Sequence, residues 1–248
     1  MLRVKKGYNS PNFEHRPPGT AIDTIIIHYT EMLSCEAAIE RLCDVEAGVS
    51  SHYIISKTGD IFNLVDEQNR AFHAGESYWD GREKVNDFSI GIELDNNGKE
   101  TFEEPLMKSL IALCHDIKKR HRIKYVLGHS DVAPQRKKDP GRLFDWSLLA
   151  KEDIGLYPQK KLSTQSHVSA SKEKSLGSRL RGNDNLIEIQ QKLQAFGYKI
   201  DLTGIFDLQT ENVVKAFSDH FYPDIINNKI DQIFVKILDE LLHIKCSL

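Results

Sequence analysis

The chain has 248 residues, 40% of them hydrophobic and 28% charged, with a formal net charge of −3. That length holds one large domain or two smaller ones, each able to bury a core. The balance of charge gives no electrostatic reason to expect nucleic acid as a partner, and no apolar run reaches the length of a signal sequence or a transmembrane segment.

The first half alternates strand-like and helix-like text. Residues 22–29 read as a buried strand from their apolar run, with His28 closing the β-branched series Ile25-Ile26-Ile27. Residues 34–46 have helical spacing, with Ser34 placed to cap the first turn. Residues 52–56 and 61–65 flank Lys57-Thr58-Gly59-Asp60 and predict a hairpin. Residues 88–94 predict a further strand, in which Glu93 points away from its neighbours Ile92 and Leu94. The strongest amphipathic helix is predicted over 105–122, from Leu106, Leu110, Leu113 and Ile117. A short strand over 124–127 follows. Interleaved strands and helices predict an α/β domain over 1–158, a mixed central sheet flanked by helices.

Residues 159–183 are rich in serine, lysine and arginine without an apolar period, and read as a linker. From 184 to 248 helical spacing returns in three segments, predicting a small C-terminal three-helix bundle that stands by itself. Four cysteines, at 35, 43, 114 and 246, form no CxxC pair, so free and mostly buried thiols are expected.

The segment GHSDVAPQRKKDPG at 128–141 carries the chemistry. His129 and Asp139 lie ten positions apart, across Pro134 and before Pro140 and Gly141, so they cannot share one helix. They converge across a loop. With His28 at a strand end they make two histidines and a carboxylate, the donor set of an open zinc site whose fourth position is left for water. Taken singly, each has a plainer reading: a satisfied strand-end histidine, or an aspartate that forms a turn before proline. Their joint occurrence favours a zinc hydrolase.

The motifs TIIIHYT at 24–30, SSHYIISKTGDIFNLV at 50–65, AFHAG at 71–75, NDFSIGIELDNNG at 86–98 and the GHSDVAPQRKKDPG segment resemble, in order, the zinc-dependent N-acetylmuramoyl-L-alanine amidases of the type 2 amidase family (AmpD/AmiD-like). The resemblance covers about residues 20–146. It implies one zinc ion per chain held by His28, His129 and Asp139, and peptidoglycan or muropeptides as substrate. It also implies catalytic roles for Glu93, as proton carrier, and Lys137, as oxyanion contact. Substrate contacts are implied for His52, His73, Trp79 and Asn86, although an aromatic such as Trp79 can equally cover a core. Where the phage branch has tyrosine before the His52 position, this chain has Ser51, so proton transfer is expected from Glu93.

Residues 187–221 resemble the peptidoglycan-binding domain often joined to such amidases, with Thr203-Gly204 where that domain usually has an aspartate and glycine. The two-part order favours the AmiD-like branch. The wall-binding resemblance suggests the cell envelope, whereas a native start at Met1 would suggest the cytoplasm. Two other classes share the chemistry or the fold: a zinc peptidase cutting within the stem peptide, and a non-catalytic peptidoglycan-recognition protein. The residues favour no oligomeric state, and neither anhydro nor ordinary muramic acid.

Overall fold

The computed structural model describes residues 3–158, 183–223 and 229–247. In chain order the strands are β1 (Val4–Lys5), β2 (Phe13–His15), β3 (Thr24–Tyr29), β4 (Tyr53–Ile55), β5 (Ile61–Asn63), β6 (Asn69–Ala71), β7 (Tyr78–Trp79), β8 (Arg82–Glu83), β9 (Ser89–Leu94) and β10 (Tyr125–Gly128). The helices are α1 (Cys35–Cys43), α2 (Glu104–Arg120), α3 (His129–Val132), α4 (Trp146–Ala150), α5 (Asn183–Phe196), α6 (Leu208–Phe221) and α7 (Gln232–Lys245).

Six strands form one mixed sheet in the order β1-β5-β4-β9-β3-β10. Strands β4, β9, β3 and β10 run parallel, while β4 and β5 form the expected antiparallel hairpin. Strand β3 begins at Thr24, two residues later than its apolar run suggested, and α1 is capped as expected, with Ser34 Oγ accepting from Ala37 N at 3.2 Å. Helix α2 runs over Glu104–Arg120, with its proline in the first turn, where the missing N–H costs no helical bond.

Alternation along the central strands assigns the two faces. Ile25, Ile27, Ile90, Ile92 and Leu94 join Leu106, Leu110, Leu113 and Ile117 of α2 in one cluster. Ile26, Tyr125 and Leu127 face the other way, into a cluster built with Phe196, Tyr198, Phe217 and Leu238 of the C-terminal helices. His28 and Glu93 share the parity of Ile26 and Gly91, so they too lie on this second face.

That second cluster corrects the expectation of a self-contained bundle. Helices α5, α6 and α7 do form one unit, but its core continues into the sheet. Trp79 is 1% exposed, with ring centroids 5.1 Å from Tyr198, 5.9 Å from Phe196 and 6.0 Å from Tyr125. Gly197 is required beside it: a Cβ there would come within 2.8 Å of the indole. Polar contacts follow the same seam, with Asp80 N donating to Gly197 O at 2.9 Å and Lys245 Nζ to Asp80 Oδ1 at 2.7 Å. The physical reason is that the sheet face carrying Ile26 and Leu127 is apolar and has to be covered. The linker expected over 159–183 falls almost wholly outside the described residues. No helix among the described residues is long and apolar enough to cross a membrane.

Candidate metal centre

The site sits at the carboxyl ends of three adjacent parallel strands, where loops from an open α/β sheet diverge and leave a crevice. His28 is the penultimate residue of β3, Glu93 that of β9, and His129 follows directly on β10. Asp139 comes from the loop after α3, which Ser130 N ties back by donating to Asp139 O at 2.9 Å. Together they floor a cleft of about 480 Å³ whose walls include His73, Arg41, Arg136 and Lys137.

His28 Nδ1, His129 Nδ1 and Asp139 Oδ2 lie 3.0, 3.0 and 3.1 Å from one another. The surrounding hydrogen bonds decide where the ring protons are. Ser89 Oγ donates to Val85 O at 2.7 Å, so its oxygen accepts from His73 Nε2 at 3.1 Å. His73 Nδ1 then accepts from His28 Nε2 at 3.0 Å, and His28 Nδ1 is left with a lone pair. Likewise His129 Nε2 donates to Ala74 O at 3.1 Å, freeing His129 Nδ1. Three lone-pair atoms thus converge with no proton between the two nitrogens, which is repulsive unless a cation lies among them. Tetrahedral ligands about 2.0–2.1 Å from a zinc ion stand roughly 3.3 Å apart, so the triangle fits a metal and needs only slight opening.

Burial supports the same state. It lowers the His28 imidazolium to about 4, which keeps the ring neutral and able to ligate. Burial alone would raise Asp139, but the neighbouring His129 and His28 outweigh it and hold the carboxyl well below its usual range. Glu93 behaves in the opposite way: burial, then the charge of Asp139, push its carboxyl well above the ordinary value, against the pull of Lys137. Its Oε2 is sealed from solvent and has no hydrogen-bond partner among the described residues. A carboxyl raised in this way is suited to taking and returning a proton.

Of the expected substrate contacts, the structure brings only His73 to the cleft, and its ring is engaged as the support of His28. Gly91 makes that possible, since a Cβ there would lie 2.4 Å from the His73 ring. The other three do not line the cleft. His52 is fully buried beside His73, ring centroids 5.6 Å apart; its Nδ1 accepts from Gly91 N at 3.0 Å and its Nε2 donates to Asn69 O at 3.1 Å. Burial, then the adjacent Arg16, lower it to about 3. Asn86 Oδ1 accepts from His73 N and Ala74 N, at 3.2 and 2.8 Å, and so steadies the segment that supports both metal-site histidines. Trp79 is the plug described above. A tryptophan and a histidine in a family motif do not reveal from sequence whether they line the cleft or are buried beneath its lining.

Sequence reasoning missed Arg136, whose guanidinium donates to Ala74 O at 3.1 Å and forms one wall of the cleft. Its only signal was its place in the basic run before Asp139. The free cysteines behave largely as expected: Cys35 and Cys114 are buried and Cys43 half-buried, while Cys246 is exposed.

Lone-pair atoms of His28, His129 and Asp139 that converge without a proton between them, with the raised Glu93 carboxyl alongside, suit metal-assisted hydrolysis. The chain belongs to the N-acetylmuramoyl-L-alanine amidase family, whose model matches residues 18–142; a putative peptidoglycan binding domain matches 182–222. It is 34% identical over 242 residues to N-acetylmuramoyl-L-alanine amidase AmiD of Escherichia coli (strain K12), spanning 90% of this chain and 83% of that one. It is also 34% identical over 166 residues to 1,6-anhydro-N-acetylmuramyl-L-alanine amidase AmpD of Haemophilus influenzae, covering 59% of this chain and 90% of that protein. Among solved structures, AmiD from E. coli in complex with the substrate anhydro-N-acetylmuramic acid-L-Ala-D-gamma-Glu-L-Lys superimposes with a TM-score of 0.74 at 32% identity, over 92% of both chains.

Proposed function

We propose that this chain is a zinc-dependent amidase that hydrolyses the bond between N-acetylmuramic acid, or its anhydro form, and L-alanine of the stem peptide, in cell-wall turnover or recycling. The observation that carries the reading is the triangle of His28, His129 and Asp139, 3.0–3.1 Å on each side, with Glu93 beside it on the neighbouring strand. Bound there, a zinc ion supplies Lewis acidity that polarises the amide carbonyl and makes water a competent nucleophile near neutrality.

The remaining steps fall to side chains. Glu93, whose raised carboxyl sits at the cleft floor, takes the proton of the attacking water and delivers it to the departing alanine nitrogen. Lys137, in the cleft wall two residues before Asp139, donates to the oxygen on which negative charge develops. The positive charge of Lys137 also restrains the rise of the Glu93 carboxyl, which keeps that group able to accept as well as donate.

Mass spectrometry of products from a defined anhydromuramyl peptide tests the reaction. An amidase releases the sugar free of amino acids together with an intact peptide beginning at L-alanine. Alanine left on the sugar would mean a stem-peptide peptidase, and unchanged substrate with bound ligand would mean a recognition protein.

A further inference from the structure

Asp131 has no part in the chemistry above, yet three donors converge on its carboxylate. It lies in α3, two residues after His129, and is 1% exposed. Its Oδ2 accepts from Gly128 N at 2.8 Å, closing the turn on itself. The other two donors come from the C-terminal helices: Tyr198 OH, 2.6 Å from Oδ1, and His220 Nδ1, 2.7 Å from Oδ2. Neither donor can follow a moving carboxylate. The His220 ring is stacked between Trp146 at 3.6 Å and Phe221 at 3.8 Å, and Tyr198 is fully buried against Trp79.

The turn gripped in this way presents the metal donors. Gly128 leads directly into His129, and Ser130 N holds the backbone of Asp139. We infer that the C-terminal helical module is a positioning element of the metal centre: Tyr198 and His220 fix Asp131, and through it the separation of His129 and Asp139. Both act at one remove, through their hydrogen bonds to Asp131. The inference rests on the metal-centre reading above. The physical ground is that a buried carboxylate stripped of a donor is left with an uncompensated lone pair, and reorients to recover one. Metal donors tolerate displacements of only about 0.5 Å before binding suffers, and loss of an outer partner typically lowers metal affinity about 10–100-fold.

The test uses the full-length chain and reads zinc affinity, by competition with a chelator, together with the visible spectrum of the cobalt-substituted protein. Tyr198→Phe removes one oxygen and should weaken zinc about 10-fold; adding His220→Gln should approach about 100-fold and shift the cobalt bands. Leu241→Ala is the control, because Leu241 is fully buried in the same helical unit, within the cluster that contains Tyr198, and its hydrocarbon side chain supplies none of the hydrogen bonds to Asp131. It should lower the unfolding temperature and leave affinity and spectrum as in the parent protein. Unchanged affinity in Tyr198→Phe and in the double variant overturns the inference and leaves the metal reading standing. An equal loss of affinity in Leu241→Ala also overturns it, by reducing the effect to general stability. Failure of the parent chain to take up zinc or cobalt overturns the metal reading itself. Tyr198→Phe carries the result alone should the double variant not fold.

Discussion

His28 and Glu93 are paired residue for residue across the parallel strands β3 and β9, so their side chains leave the same face of the sheet as neighbours. This register places the proposed metal donor and the proposed proton carrier side by side at the ends of two central strands. Glu93 also lines the cleft, so part of its carboxyl can meet a reacting water while Oε2 stays sealed and unpartnered among the described residues.

Replacing Glu93 by Gln keeps shape and most hydrogen bonding but removes the base. Zinc content should be unchanged and turnover should fall by about 100-fold or more. Near-parental turnover with intact zinc would remove Glu93 from the mechanism. Lys137→Ala should also retain zinc, with a fall in turnover of about 100-fold.

Metal analysis of purified protein should give close to one zinc per chain. His28→Ala, His129→Ala and Asp139→Ala should each abolish stoichiometric binding, because three protein ligands leave no redundancy. The sheet and α2 should survive in the metal-free protein, judged by circular dichroism, since the cluster around Ile25, Ile90 and Leu110 lies on the opposite face.

Acid should destabilise the metal-free protein early. His28 and His52 titrate at about 4 and about 3 in the folded chain, against an ordinary value of 6.5. Below pH 6.5 the unfolded chain therefore holds more protons than the folded one, and stability falls with pH until the folded values are reached. Each histidine should contribute about 1.4 kcal/mol per pH unit in that window. Urea midpoints measured between pH 7.5 and 4.5 check the slope, and a flat profile would contradict the burial of both rings.

Trp79→Ala should cost about 3–5 kcal/mol of stability and leave KM for a soluble muropeptide nearly unchanged. A stacking role on sugar would instead raise KM with little loss of stability.

Truncation after residue 158 should be poorly tolerated. It would strip the cover from Trp79, Tyr125 and Leu127 and leave Asp131 with Gly128 N alone. The fragment is expected to aggregate, or to unfold at a markedly lower temperature and bind zinc weakly. A well-folded fragment with parental zinc affinity would show that the seam between the two parts contributes little.

Local pattern was enough to find the main strands and helices, because apolar period and capping residues act within a few positions. The Ile25-Ile26-Ile27-His28 run and the Ile92-Glu93-Leu94 alternation place His28 and Glu93 at strand ends, and the proline-broken segment brings Asp139 back toward His129. All of that is chain-local chemistry read through known strand geometry. What covers the face carrying Ile26, Tyr125 and Leu127 is decided by the C-terminal helices, which begin only at Asn183. Sequence therefore marked Trp79 and His52 as motif residues without revealing that one fills the seam with the C-terminal helices and the other is sealed beside His73. The same holds for Asp131, Tyr198 and His220: three ordinary polar side chains in the sequence, joined only when tertiary packing buries a carboxylate and has to satisfy it.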